Sequence, residues 1–321
     1  MLLKIATYFA AAVLSAALRG QDATDNTPHS VQFLTVDKDV KLEVLDWGGA
    51  GRPILLLTGL GNNAHIFDRF APRLTEKYHI YGVTRRGFGK SSAPAPTPSN
   101  YAADRLGDDV LAVIDQLKLV KPVLAAHSLG GEELSSIGSR YPEKVAGLIY
   151  LDAGYPYAFY NSARPDFNIE MNELQMLIEK VRSKRGGDLA AIEELLARLP
   201  ALEKILLQQQ KMLMSSPTPS VPGAPITTAI IAGQQKYTKI AAPVLAIYAM
   251  PKPPPALKVD AKTLADIVAA QSALEEAQAK VFEAGVPTAR VVRIPQAEHY
   301  VFVSNEAEVL GEMNAFIDGL R

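Results

Sequence analysis

The 321-residue chain contains no cysteine. That excludes disulfides, a thiol nucleophile and cysteine-ligated zinc. Charge of either sign is not in excess: 33 Lys and Arg stand against 34 Asp and Glu, which argues against a nucleic-acid partner. Histidine is scarce, with five in all and no His-x-x-x-His pair, so no metal site and no metal cofactor are expected. Apolar residues, by contrast, make up 48% of the chain, enough to bury a sizeable core.

The opening stretch MLLKIATYFAAAVLSAALRGQDATDN has Lys4, then an apolar run from Ile5 to Leu18, then small residues and a polar segment. That is the layout of a signal peptide over residues 1–22, and it implies export to the periplasm or outside the cell. Ser15-x-Ala17 and the region near Gly20 both offer a cleavage site, and the alternative is an uncleaved anchor. The apolar run is short for a bilayer span, so no stable membrane insertion is expected after processing.

From residue 31 the chain alternates strand and helix. VQFLTV and VKLEVLDW flank DKD as a hairpin. PILLLTG, PVLAAH and VAGLIYLD are continuous apolar runs, as in strands buried on both faces. DRLGDDVLAVIDQLKLV repeats apolar residues every three to four positions, and IFDRFAPRLTEKY has helical spacing too. Residues 153–238 break the rhythm with helical runs and the segment SSPTPSVPGAP. Alternation resumes at APVLAIYA and continues through a long helix (261–284), ARVVRIP and a closing helix. Such alternation implies parallel strands with crossover helices.

The stretch VLAAHSLGG delivers Ser128 from a strand through a tight turn into a helix. Such a turn leaves the side chain exposed at the carboxyl edge of the sheet, and nearby glycines let backbone approach closely. An ordinary N-cap serine is the plainer explanation. Three features favour a nucleophile. TGLG (58–61) follows a buried strand and can aim the Leu60 amide, with that of Leu129, at a developing oxyanion. TRRGFGKSS (84–92) suits a supporting turn. His299, in RIPQAEHYVF, lies past the last strand, where a general base for Ser128 is needed.

This order of motifs resembles the α/β-hydrolase superfamily over essentially all of residues 31–321, as a serine hydrolase with a helical cap domain. The resemblance implies a mostly parallel eight-stranded sheet flanked by helices, with an all-helical cap inserted after the sixth strand. The core takes residues 27–152 and 239–321, the cap 153–238. The family's serine, carboxylate and histidine occur in this chain order, which carries Ser128 and His299 over. Thr58 stands where the family's oxyanion turn usually has histidine, and Ala126 replaces the first elbow glycine. The acid departs from the commonest pattern. After PVLAIYA no Asp or Glu appears until Asp260, whereas YLDAGY supplies Asp152 at the other position the superfamily uses. Asp152 is the expected triad acid and Asp260 the alternative.

The resemblance implies a cofactor-free serine hydrolase acting on a small-molecule substrate. Carboxylic esters lead, with lactones and amides behind. A ligand-binding receptor or scaffold of the same fold is the alternative, favoured by the missing acid after the penultimate strand. Tyr155, Tyr157, Phe159 and Tyr160, with Met171, Met176, Met212 and Met214, either line an apolar acyl pocket or pack cap on core.

Overall fold

The computed structural model describes residues 28–163, 165–183, 187–215, 223–252 and 260–320. The expected signal peptide, residues 1–22, lies outside the described residues. Eight strands form one sheet in the order β1-β2-β4-β3-β5-β6-β7-β8. β1 (Ser30–Asp37) and β2 (Val40–Gly48) are the expected antiparallel hairpin, and β2 also runs antiparallel to β4 (His79–Val83). β3 (Pro53–Leu57), β5 (Val123–His127), β6 (Gly147–Leu151), β7 (Val244–Pro251) and β8 (Ala289–Ala297) continue in parallel.

Period-two alternation sorts each central strand between two cores. Leu55, Leu57, Leu124 and Ala126 face helices α1 (Ala103–Gln116), α2 (Gly131–Arg140) and α6 (Ala261–Gly285). Ile54, Leu56, Val123 and Ala125 face the other way, onto Phe67, Phe70 and helix α7 (Glu306–Asp318). Among the described residues, three helices lie between β6 and β7: α3 (Phe167–Ser183), α4 (Leu189–Ser215) and α5 (Pro225–Ile231). This is the arrangement the resemblance implies, with helices inserted after the sixth strand.

One expected helix is absent. IFDRFAPRLTEKY instead forms two 3-10 turns, Ala64–Phe67 and Ala71–Arg73. Pro72 has no N–H to continue an α-helix and sits at the start of the second turn, which it breaks from the first.

Candidate active site

β5 is buried along its whole length, and the chain leaves it through Ser128 at φ +51°, a left-handed conformation that few non-glycine residues adopt. A 3-10 turn (Ser128–Gly130) then leads directly into α2. The glycines permit the crowding. A Cβ on Gly130 would come 3.0 Å from the Thr58 carbonyl oxygen, and one on Gly131 only 2.2 Å from that of Ala153. A Cβ on Gly59 would sit 3.0 Å from that of Ser128, so the TGLG turn is pressed against the elbow. Leu60 follows Gly59 and Leu129 follows Ser128, so both residues adjoin this contact.

Three side chains distant in sequence meet here. The Ser128 hydroxyl donates to Nε2 of His299 at 2.9 Å, and Nδ1–H of His299 donates to Oδ2 of Asp152 at 2.7 Å. The second carboxylate oxygen of Asp152 accepts from the Ala249 amide on β7 at 3.0 Å. Both oxygens of this buried carboxylate are thereby used, which fixes the imidazole tautomer and ring orientation. Asp152, just past β6, is also left-handed at φ +48°. Asp260 is elsewhere: exposed at the start of α6, it accepts from the Thr263 amide at 2.9 Å as a helix cap. It has no contact with His299.

His127 is fully buried, and its Nε2–H donates to the His299 carbonyl at 3.0 Å. Burial, then the nearby His299, holds its pKa well below the ordinary histidine value, so it stays neutral. It braces the histidine loop. The TRRGFG segment is a clamp. Arg85 pairs with Glu133 and donates from Nη2 to the Thr58 carbonyl at 2.8 Å and from Nη1 to that of Gly59 at 3.3 Å, fixing the turn that carries Leu60. Arg86 grips Asp109 with two bonds of 2.6 Å.

Of the aromatic run after Asp152, Tyr157 packs with Leu129 and Leu60 in one apolar cluster, and burial is the main cause of its raised pKa. Phe159 packs on Phe282 with ring centroids 5.7 Å apart, and Tyr160 donates to Glu170. The methionines divide differently from expectation. Met176 and Met214 point to solvent, 63% and 77% exposed, because α3 and α4 turn those faces outward. The Met212 side chain lies outside the described residues. Two buried carboxyls near the site carried no sequence signal: Glu132 on α2 and Glu275 on α6. Only the buried faces of those helices could have suggested them.

Comparisons with known proteins fit this geometry. A family model described as alpha/beta hydrolase fold matches residues 52–306. The AB hydrolase superfamily protein YisY of Bacillus subtilis is 32% identical over 164 residues, 49% of this chain and 58% of that protein. The 3-oxoadipate enol-lactonase 2 of Acinetobacter baylyi is 31% identical over 113 residues, 35% of this chain and 41% of the relative. The chain spans about half the length of the curated relatives it matches. Among solved structures, an esterase from Exiguobacterium antarcticum superposes with a TM-score of 0.59 at 20% identity, covering 90% of this chain and all of that one. At that identity the likeness is one of fold.

Proposed function

The chain belongs to the alpha/beta hydrolase family, and from that membership we propose that it is a serine hydrolase that transfers an acyl group to water. Carboxylic esters are its leading substrates, with lactones and amides behind. The observation that carries this reading is the Ser128–His299–Asp152 chain, with hydrogen bonds of 2.9 and 2.7 Å.

In this mechanism Nε2 of His299 takes the Ser128 proton as Oγ attacks the substrate carbonyl carbon. Asp152 stabilises the imidazolium and does not itself become protonated. The negative charge on the former carbonyl oxygen is met by the Leu60 and Leu129 amides, held by the Arg85 clamp and the start of α2. The imidazolium then protonates the leaving group. Water, deprotonated by the same imidazole, attacks the acyl-serine and frees the acid. The elbow serine sets this chemistry apart from a relative named fluoroacetate dehalogenase, from a Burkholderia species: dehalogenases and epoxide hydrolases of this layout use Asp at the elbow. The binding-protein alternative draws on the missing acid after the penultimate strand; the Asp152 carboxylate hydrogen-bonded to His299 from the end of β6 supports the hydrolase reading over it.

The test is an acyl-length series of aryl esters with wild type, Asp152→Asn and Asp260→Asn. The reading expects turnover by wild type, a kcat lower by on the order of 10³–10⁴-fold in Asp152→Asn, and turnover within twofold of wild type in Asp260→Asn. Unchanged turnover in Asp152→Asn, or none by wild type across esters, lactones and amides, would count against it.

A further inference from the structure

Helix α4 carries apolar side chains on two faces. On one, Ala191, Leu202 and Ile205 are buried, and Arg198 bonds Glu170 and Glu173 of α3. The other face is bare. Leu189, Leu196 and Leu213 are 70%, 60% and 58% exposed, and Leu199, Leu206 and Met214 are about half exposed or more. These side chains are not scattered. Ile192, Leu199, Leu206 and Leu213 stand seven residues apart, as do Leu189 and Leu196. A seven-residue apolar repeat is the seam by which one helix pairs with another. Beside it a groove of about 680 Å³ opens between α3 and α4, walled by Leu174, Leu202 and Leu207. From Leu206 to Met214, Gln209 is the one described side chain that is not exposed. Helical turns owe most of their stability to packing, and these turns have little within the chain.

The charges along the seam say what fits it. A helix that lies on lipid carries a polar face rich in Lys and Arg. Here the signs are mixed and segregated: Glu193 stands near the start of α4, Glu203 and Lys204 in the middle, and Lys211 near the end. Glu193 and Lys211 are 18 residues apart, five full turns, so they lie on the same flank of the seam. A second α4 laid antiparallel sets Leu189 against Leu213, Leu196 against Leu206 and Glu193 against Lys211. Each contact then occurs twice about a twofold axis, as a closed dimer requires. A parallel partner would set Glu193 against Glu193 and Lys211 against Lys211.

We propose that the bare face of α4 is a homodimer interface, through which two copies of this chain pair antiparallel by their caps. The area is sufficient. The exposed fractions of the seven apolar side chains on α4 equal about four fully exposed leucines. At on the order of 100 Å² of apolar surface for each leucine, that is about 400 Å² per copy. Interfaces are about 60% apolar, so the whole contact covers about 650 Å² a side, within the roughly 600–1,000 Å² of a standard specific interface. That is the small end of the range, and the dimer is expected to form at micromolar concentration.

Sedimentation velocity of the full-length chain from about 1 to 100 μM should show monomer giving way to dimer. Leu206→Glu should raise the dissociation constant about tenfold or more while leaving the melting temperature of the monomer unchanged. Glu193→Lys and Lys211→Glu should each weaken the dimer by roughly threefold, and the two together should restore it. Because the chain has no cysteine, the arrangement can also be read directly. On mild oxidation a mixture of Leu196→Cys and Leu206→Cys should give a disulfide-linked dimer, and neither variant should cross-link with itself. Self-cross-linking of either variant would mean a parallel pair and overturn the arrangement. A chain that stays monomeric throughout, or a dimer indifferent to Leu206→Glu, refutes the interface. A monomer that instead binds zwitterionic lipid vesicles, and loses that binding in Leu206→Glu, assigns the face to a membrane surface and also overturns the proposal.

Discussion

Glu275 shows what the site asks of single residues. It is buried on α6, and burial first, with the Asp152 charge second, pushes its carboxyl up to about 8. The Tyr155 hydroxyl lies beside both carboxyls without a well-formed hydrogen bond to either, and Tyr248 and Tyr157 also feel the Glu275 charge. Below that pH Glu275 carries a proton and adds no second negative charge next to Asp152. A carboxyl whose pKa rises on folding contributes least penalty in acid. The unfolded chain ionises near 4.5, so stability is lost progressively as pH climbs from about 4.5 to about 8 and levels off above. Glu275→Gln should flatten this slope. Melting temperatures from pH 5 to 9 should diverge, the variant gaining most on the alkaline side. Parallel profiles would contradict the assignment.

At the scale of elements, the site is made where strands end. Ser128 and Asp152 both leave adjacent parallel strands in left-handed conformations. Each such conformation costs on the order of 1–3 kcal/mol and persists because surrounding structure over-determines it. The close approach of α2 to the exit of β6 is one such constraint, and Gly131 makes it achievable. Gly131→Ala should therefore destabilise the protein by about 2–4 kcal/mol. Gly311, in α7, meets nothing within 4 Å of its added Cβ. Gly311→Ala is expected to stabilise by about 0.5–1 kcal/mol. Thermal unfolding of the pair checks both signs, and equal midpoints would sink the packing argument.

At the scale of the whole molecule, the parallel order was legible because buried strands write continuous apolar runs and their helices write a three-to-four spacing. The placement of Ser128 and His299 at strand ends follows from that pattern alone. The acid did not. Asp152 and Asp260 each follow a strand, and only the spatial neighbourhood of β6 and β7 separates a carboxylate on the imidazole from one capping a helix. Arg85 and Glu275 were silent for the same reason. Their partners lie 48 residues away for Arg85 and Glu133, and more for Glu275 and Asp152, and no local periodicity reports such contacts. Pro72 was legible: a proline within IFDRFAPRLTEKY argues against one continuous helix.

The account stands on the reactivity of one hydroxyl assembled from three distant segments. The direct measurement is to treat the full-length protein with a fluorophosphonate and map the adduct by peptide mass spectrometry. The expected result is a single phosphonylated site on the peptide containing Ser128, abolished in Ser128→Ala and strongly slowed in His299→Ala. An unmodified wild type, an adduct on another residue, or labelling at wild-type rate in His299→Ala would contradict it.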